Sequence, residues 1–171
     1  MSQKNLGIIG GGQLGSMLSQ AAKKLNIRTT IYSDDIDAPA QNFCDEFICG
    51  EYHNKKKVLE FVSKVDVITY EFENIPYETL NEMNKLKSVL PKPSVNRLIQ
   101  HRIAEKDFIN KLNIRTTRYV SIEKKNDIET LGDFLPGILK TTTMGYDGKG
   151  QYPLKKKEDI NTLNIDFSKE H

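Results

Sequence analysis

The chain has 171 residues, of which 37% are hydrophobic and 28% charged, and it carries a formal net charge of +2. That length holds one large domain, or one domain and part of another, and the composition is that of a globular protein with no disorder signature. So small a charge, spread along the chain, gives no basis for a nucleic-acid or membrane partner, and two cysteines, Cys44 and Cys49, are too few for a disulfide framework or a zinc site.

No apolar run approaches the roughly 20 residues that span a bilayer, and the amino terminus enters a strand without the apolar core of a signal peptide, so a cytoplasmic location is expected. Residues 6–10 form a short apolar strand ending in glycine. Leu14, Met17, Leu18, Ala21, Ala22 and Leu25 then recur at helical spacing and predict a helix over 13–25 with those side chains inward, ended by Asn26. A β-branched strand follows over 27–32, and a short one over 47–49. A helix over 55–65 is predicted to turn Val58, Leu59 and Val62 inward, ahead of a buried strand over 66–70. Alternating strands and helices of this kind predict a doubly wound parallel sheet in an α/β fold.

Pro76 is placed to start a helix over 77–86, and 88–90 is a candidate further strand. The paired prolines of Pro91-Lys92-Pro93 mark the expected domain boundary, giving domains 1–92 and 93–171. Beyond them the pattern predicts helices over 94–102 and 104–112, a strand over 117–120, a helix over 127–134, and strands over 137–141 and 151–154 around a glycine-rich flap. One weak helix is expected after residue 155. No internal repeat is visible, and the second domain looks incomplete, an α+β piece too small for a whole substrate-binding unit.

Three motifs carry chemistry. Gly10, Gly12 and Gly15 match G-x-G-x-x-G between a strand and a helix, with Asp34 about 20 residues on, where a dinucleotide fold keeps its ribose acid. A helix N-terminus accepts any phosphate, so a smaller phosphorylated ligand fits equally well, and so does simple close packing; Gln13 favours a small polar ligand. Glu71 and Glu73, in Thr69-Tyr70-Glu71-Phe72-Glu73-Asn74-Ile75-Pro76, leave the carboxyl end of a parallel strand, where open sheets bind ligands; a helix cap using Glu73 or Asn74 is the competing explanation. Lys140 to Gln151 contains three glycines and two lysines, a flexible cationic flap suited to a polyphosphate.

Together these segments closely resemble the amino-terminal part of the 5-(carboxyamino)imidazole ribonucleotide synthase family, ATP-grasp enzymes of purine biosynthesis. The resemblance rests on GGGQLG at 10–15, DAPA at 37–40, TYEFENIP at 69–76, Arg102 with Glu105-Lys106, and GYDGKGQ at 145–151, and it covers residues 6–154. It implies a pre-ATP-grasp domain followed by part of an ATP-grasp domain. It also implies an ATP-dependent carbon–nitrogen ligase in which ATP phosphorylates bicarbonate, and the activated carboxyl group carboxylates aminoimidazole ribonucleotide with release of ADP and phosphate.

By the same resemblance the ATP contacts are Arg102, Lys140, Gly145, Tyr146, Asp147, Gly148, Lys149, Gly150 and Gln151, with Lys140 and Lys149 in the catalytic role. Gly12, Gln13, Leu14, Glu73, Tyr146 and Lys149 would hold the aminoimidazole ribonucleotide. ATP and Mg2+ are implied as cofactors, with the magnesium ligands expected in a carboxyl-terminal half of the ATP-grasp unit; no metal ligand is assigned in this chain. Family members dimerise through the amino-terminal part, so a homodimer is implied too, and a chain ending at His171 is expected to have little activity alone. Three positions depart from the pattern: Ser16 where a basic residue is common, His101, and Met144, which would stiffen the flap if its backbone takes positive φ. The alternatives are another ATP-grasp ligase, such as a glycinamide ribonucleotide transformylase or a biotin carboxylase, a nucleotide-binding module completed by a second chain, and a dinucleotide oxidoreductase.

Overall fold

A computed structural model describes residues 3–145 and 148–163. The chain forms two compact units, Met1–Arg97 and Leu98–His171. In the first, strands β1 (Asn5–Ile9), β2 (Arg28–Ser33), β3 (Glu46–Cys49) and β4 (Val67–Tyr70) make one parallel sheet in the order β3-β2-β1-β4. Residues 88–90 add only a single parallel bridge, Val89 beside Ile68, with the Ile68 amide on the Ser88 carbonyl at 2.9 Å.

The pleat sends alternate residues to opposite faces, and each face has its own core. Ile9, Tyr32, Ile48 and Ile68 pack with Val58, Phe61 and Val62 of α2 (Lys55–Lys64) and Leu80 and Met83 of α3 (Tyr77–Leu86), while Ile8 and Ile31 pack with Ala40, Leu6 and Phe47 on the other side. Burial on both faces is what a parallel sheet with crossover helices requires.

Two inward faces differ from expectation. Helix α1 (Gln13–Lys24) buries Gly15, Ser16, Ser19 and Ala22, and leaves Leu14, Met17, Leu18 and Leu25 exposed. The cause is proximity: a Cβ on Gly15 would lie 2.7 Å from the Gly10 carbonyl oxygen and 3.4 Å from Ala40, so only small side chains fit there. In α2 Val58 and Val62 face inward as expected, but the third inward residue is Phe61, fully buried, whereas Leu59 is exposed. Asn26 does end α1, in the left-handed conformation at φ +57° that asparagine tolerates just past a helix.

The two units divide within α4 (Pro93–Ile99), not at the paired prolines. Asn96 is fully buried and its Nδ2 donates to the Ile75 carbonyl at 3.1 Å, which fastens α4 to the 71–76 loop of the first unit.

In the second unit, α5 (Arg102–Lys111) begins at His101, whose Nδ1 accepts from the Ala104 amide at 3.4 Å. Strands β5 (Gly137–Lys140) and β6 (Gln151–Leu154) pair antiparallel with Lys140 opposite Gln151. The segment 117–120 pairs with no strand among the described residues. Its polar groups bond α5 instead, the Thr117 carbonyl accepting from Lys106 Nζ at 3.3 Å and the Tyr119 hydroxyl donating to Asp107. The helix expected over 127–134 is two 3-10 turns, Lys125–Thr130 and Gly132–Phe134, separated where Gly132 takes φ +29°.

A short repeat also becomes visible. Lys124-Lys125-Asn126-Asp127-Ile128 and Lys156-Lys157-Glu158-Asp159-Ile160 fold alike: Asp127 Oδ2 accepts from the Glu123 and Lys124 amides at 3.0 Å each, and Asp159 Oδ2 from the Lys155 and Lys156 amides at 2.8 and 3.1 Å. Those two amides hold the Asp159 carboxyl below its ordinary range. Each turn buries its isoleucine, and Ile128 and Ile160 form the core of this unit with Leu131, flanked by Phe134, Leu139 and Leu163.

Candidate functional site

In the first unit the site lies at the carboxyl ends of β1 and β4, which are adjacent and parallel, with Ile9 beside Tyr70. Gly10 and Glu71 are therefore neighbours. Gly10 turns out of the strand at φ +107°, and Gly12 caps α1 with no side-chain cap and no acidic residue in the first turn. The Gly12 amide donates instead to Glu71 Oε1 at 2.9 Å. A Cβ at Gly10, Gly12 or Gly15 would stand 2.7, 3.1 or 3.6 Å from that same oxygen. All three motif glycines thus surround a carboxylate of the protein itself, where a ligand phosphate was expected.

Around it, Gln13 and Leu14 are exposed at the start of α1, and Ser16 Oγ donates to the Gly12 carbonyl at 3.1 Å. Glu73 is partly buried in the loop after β4, while Tyr70 and Phe72 pack against the core. Helix α3 is capped by Pro76, which offers no side-chain cap, and among the described residues Asn74 Nδ2 is buried without a hydrogen-bond partner. Tyr52 is buried, and burial first, then the nearby Asp34 charge, push its hydroxyl upward in pKa.

In the second unit the flap joins β5 to β6. Lys140 is exposed at the end of β5 opposite Gln151, and the Thr141 amide donates to the Gly150 carbonyl at 2.9 Å. Gly148 and Gly150 take φ +80° and +62°, and Lys149 between them is exposed. Met144 also takes φ +57°, the condition under which a side chain there stiffens the flap. Arg102 lies across the base: its amide donates to the Thr142 carbonyl at 2.9 Å, its Nε to the Thr141 carbonyl at 3.0 Å, and its Nη2 to the Gly145 carbonyl. Tyr146 and Asp147 lie outside the described residues.

Sequence reasoning missed two features here. Among the described residues the Thr141 and Thr142 hydroxyls are buried with no hydrogen-bond partner, beneath a flap whose Gly145 and Gly150 approach Thr141 Oγ1 closely. Glu71 was seen only as half of a carboxylate pair; the strand order, which places β4 beside β1, is the signal that would have put it on the glycine turn. Among the described residues no three His, Cys, Asp or Glu side chains gather as a metal site, and no helix is long and apolar enough to cross a membrane.

Residues 3–100 match the ribonucleotide synthetase preATP-grasp domain family, and residues 107–170 match the ATP-grasp domain. The chain belongs to the ribonucleotide synthetase preATP-grasp family. As a preATP-grasp chain it is 40% identical over 157 residues to the bifunctional purine synthesis protein purC/E of Dictyostelium discoideum, covering 91% of this chain and 16% of that protein. The ADP complex of the Staphylococcus aureus N5-carboxyaminoimidazole synthetase superposes with a TM-score of 0.87 at 33% identity, over 93% of this chain and 43% of that one. The Aspergillus clavatus synthase, in complex with ADP and aminoimidazole ribonucleotide, has a TM-score of 0.79 at 25% identity over 94% of this chain and 43% of its own. The preATP-grasp chain thus spans less than half the length of these relatives.

Proposed function

We propose that this chain is the amino-terminal portion of an ATP-dependent ligase that carboxylates the exocyclic amine of 5-aminoimidazole ribonucleotide with bicarbonate, giving 5-(carboxyamino)imidazole ribonucleotide, ADP and phosphate in purine biosynthesis. The observation that carries the reading is the β5–β6 hairpin. Its lysines, its left-handed glycines and the two partnerless threonine hydroxyls beneath it supply positive charge, mobile amides and donors for a polyphosphate. The resemblance to synthases that bind ADP supports the same assignment.

In this reading the Lys140 and Lys149 ammonium groups offset phosphate charge, and the 145–151 segment with Arg102 closes over the nucleotide. A bicarbonate oxygen attacks the terminal phosphorus and ADP leaves. The amine nitrogen then attacks the activated carboxyl carbon, phosphate leaves, and the amine gives up a proton. Glu73 and Gln13 accept from or donate to the amine and ribose and so fix the attacking nitrogen; Gly12, Leu14, Tyr146 and Lys149 complete that contact set. A charge-assisted hydrogen bond of this type contributes about 1.5–3 kcal/mol. Magnesium enters the proposal only with the nucleotide, because the described side chains make no site for it, and no step is assigned to it. A cytoplasmic location and a homodimer complete the reading; the exposed Met17 and Leu18 of α1, with Leu25 just past its end, offer surface for a dimer.

Calorimetric titration of the chain tests this. Aminoimidazole ribonucleotide should bind and glycinamide ribonucleotide should not, and Glu73→Gln should weaken the former by tenfold or more. Equal binding of both ribonucleotides would favour a different ATP-grasp ligase. Saturable binding of a nicotinamide dinucleotide would favour an oxidoreductase instead.

A further inference from the structure

The glycine turn has the sequence of a phosphate cradle and the surroundings of something else. Its one amide with a side-chain acceptor, that of Gly12, is taken by Glu71 Oε1 at 2.9 Å, and the Cβ positions of Gly10, Gly12 and Gly15 all lie within 3.6 Å of that oxygen. At Gly10 and Gly12 the carboxylate itself leaves no room for a side chain, without any ligand: a methyl group at Gly10 would lie 2.7 Å from Oε1 and one at Gly12 3.1 Å, whereas Gly15 is required by the Gly10 carbonyl. A carboxylate at this place also complements the positive end of α1, which has no acidic residue of its own in the first turn.

We infer that Glu71 is the resident anion of the glycine turn and acts as a specificity-determining positioning residue. It occupies the position a phosphate would take and repels a second negative charge, so the phosphate of a nucleotide or ribonucleotide is held elsewhere. The turn is left to recognise uncharged polar groups such as hydroxyls and amines. The same bond ties the loop carrying Glu73 to the start of the helix carrying Gln13, two residues from Glu71 and one from Gly12, and so sets the spacing of these two side chains. The last point rests on the proposed function; the exclusion of phosphate does not.

Proton–nitrogen correlation spectra of the 171-residue chain, titrated with inorganic phosphate, test it. The Gly11, Gly12 and Gln13 amides of the parent should show no saturable shift. In Glu71→Ala the Gly12 amide should move upfield, and phosphate should then shift it saturably. A saturable phosphate shift in the parent, or none in a folded Glu71→Ala, overturns the inference. Should Glu71→Ala fail to fold, the parent titration decides alone, either way. A second arm compares aminoimidazole ribonucleotide with its dephosphorylated riboside. Equal Gly12 and Gln13 shifts support the inference, and loss of them with the riboside overturns it. If neither ligand binds, the proposed reaction fails while the phosphate arm still stands on its own.

Discussion

Removing the Arg102 side chain tests whether the flap is held from its base. The guanidinium donates to the carbonyls of Thr141 and Gly145, and a hydrogen bond from a charged group contributes about 1.5–3 kcal/mol. Arg102 is partly exposed, so the lower end applies to each, about 3 kcal/mol for the two together. Since 1.4 kcal/mol is tenfold in an equilibrium constant, local opening of the flap base in Arg102→Ala should rise about a hundredfold. Amide hydrogen exchange reads this at Thr141, whose N–H donates to the Gly150 carbonyl at 2.9 Å and closes the hairpin. Arg102→Lys, which reaches one carbonyl at a time, should fall between the two. Unchanged Thr141 exchange in a folded Arg102→Ala would refute the latch and return Arg102 to a purely ligand-facing role.

Other outcomes follow from the same contacts. Phe61→Ala, which empties a fully buried site 5.5 Å from the Tyr32 ring, should cost about 3–5 kcal/mol in urea denaturation of the first unit. Gly11→Ala places a methyl 2.4 Å from Ala38 Cβ and 2.9 Å from Ser33, and should destabilise by about 1–3 kcal/mol in the same assay. Burial, and then the nearby Cys49, Asp34, Glu51 and Glu60 charges, push the Tyr32 hydroxyl from the ordinary 10.0 to about 12. The folded state therefore holds that proton more tightly than the unfolded state, so its contribution is present below pH 10 and lost as pH rises to about 12. Denaturation midpoints across that window should fall for the parent and fall less for Tyr32→Phe.

The parallel sheet and its crossover helices were legible because β-branched runs, glycine turns and helical spacing all agreed. What periodicity could not say was which side of α1 meets the sheet. An apolar stripe normally marks the inward face, but here close approach selects size over hydrophobicity, and Gly15, Ser16, Ser19 and Ala22 go inside. The second unit was read less well for a related reason. Its core rests on short 3-10 turns held by Asp127 and Asp159, which have no helical period to detect, and the strand expected at 117–120 gives its polar groups to α5. Of the candidate site, the flap stands out by composition and the glycine turn by its spacing. The tenant of the turn was not, because Glu71 reaches it only through the order of the strands.

That order has a consequence for how the molecule matures. The Gly12–Glu71 bond joins residues 59 apart in the chain, so a motif that reads as local is completed by a distant contact. A folding intermediate with β1, α1 and β2 in place would carry a bare helix terminus, open to any stray anion, until β4 docks on the sheet edge. Contacts of such long sequence separation form slowly. Selectivity at this end of the protein would then emerge last, in step with completion of the sheet.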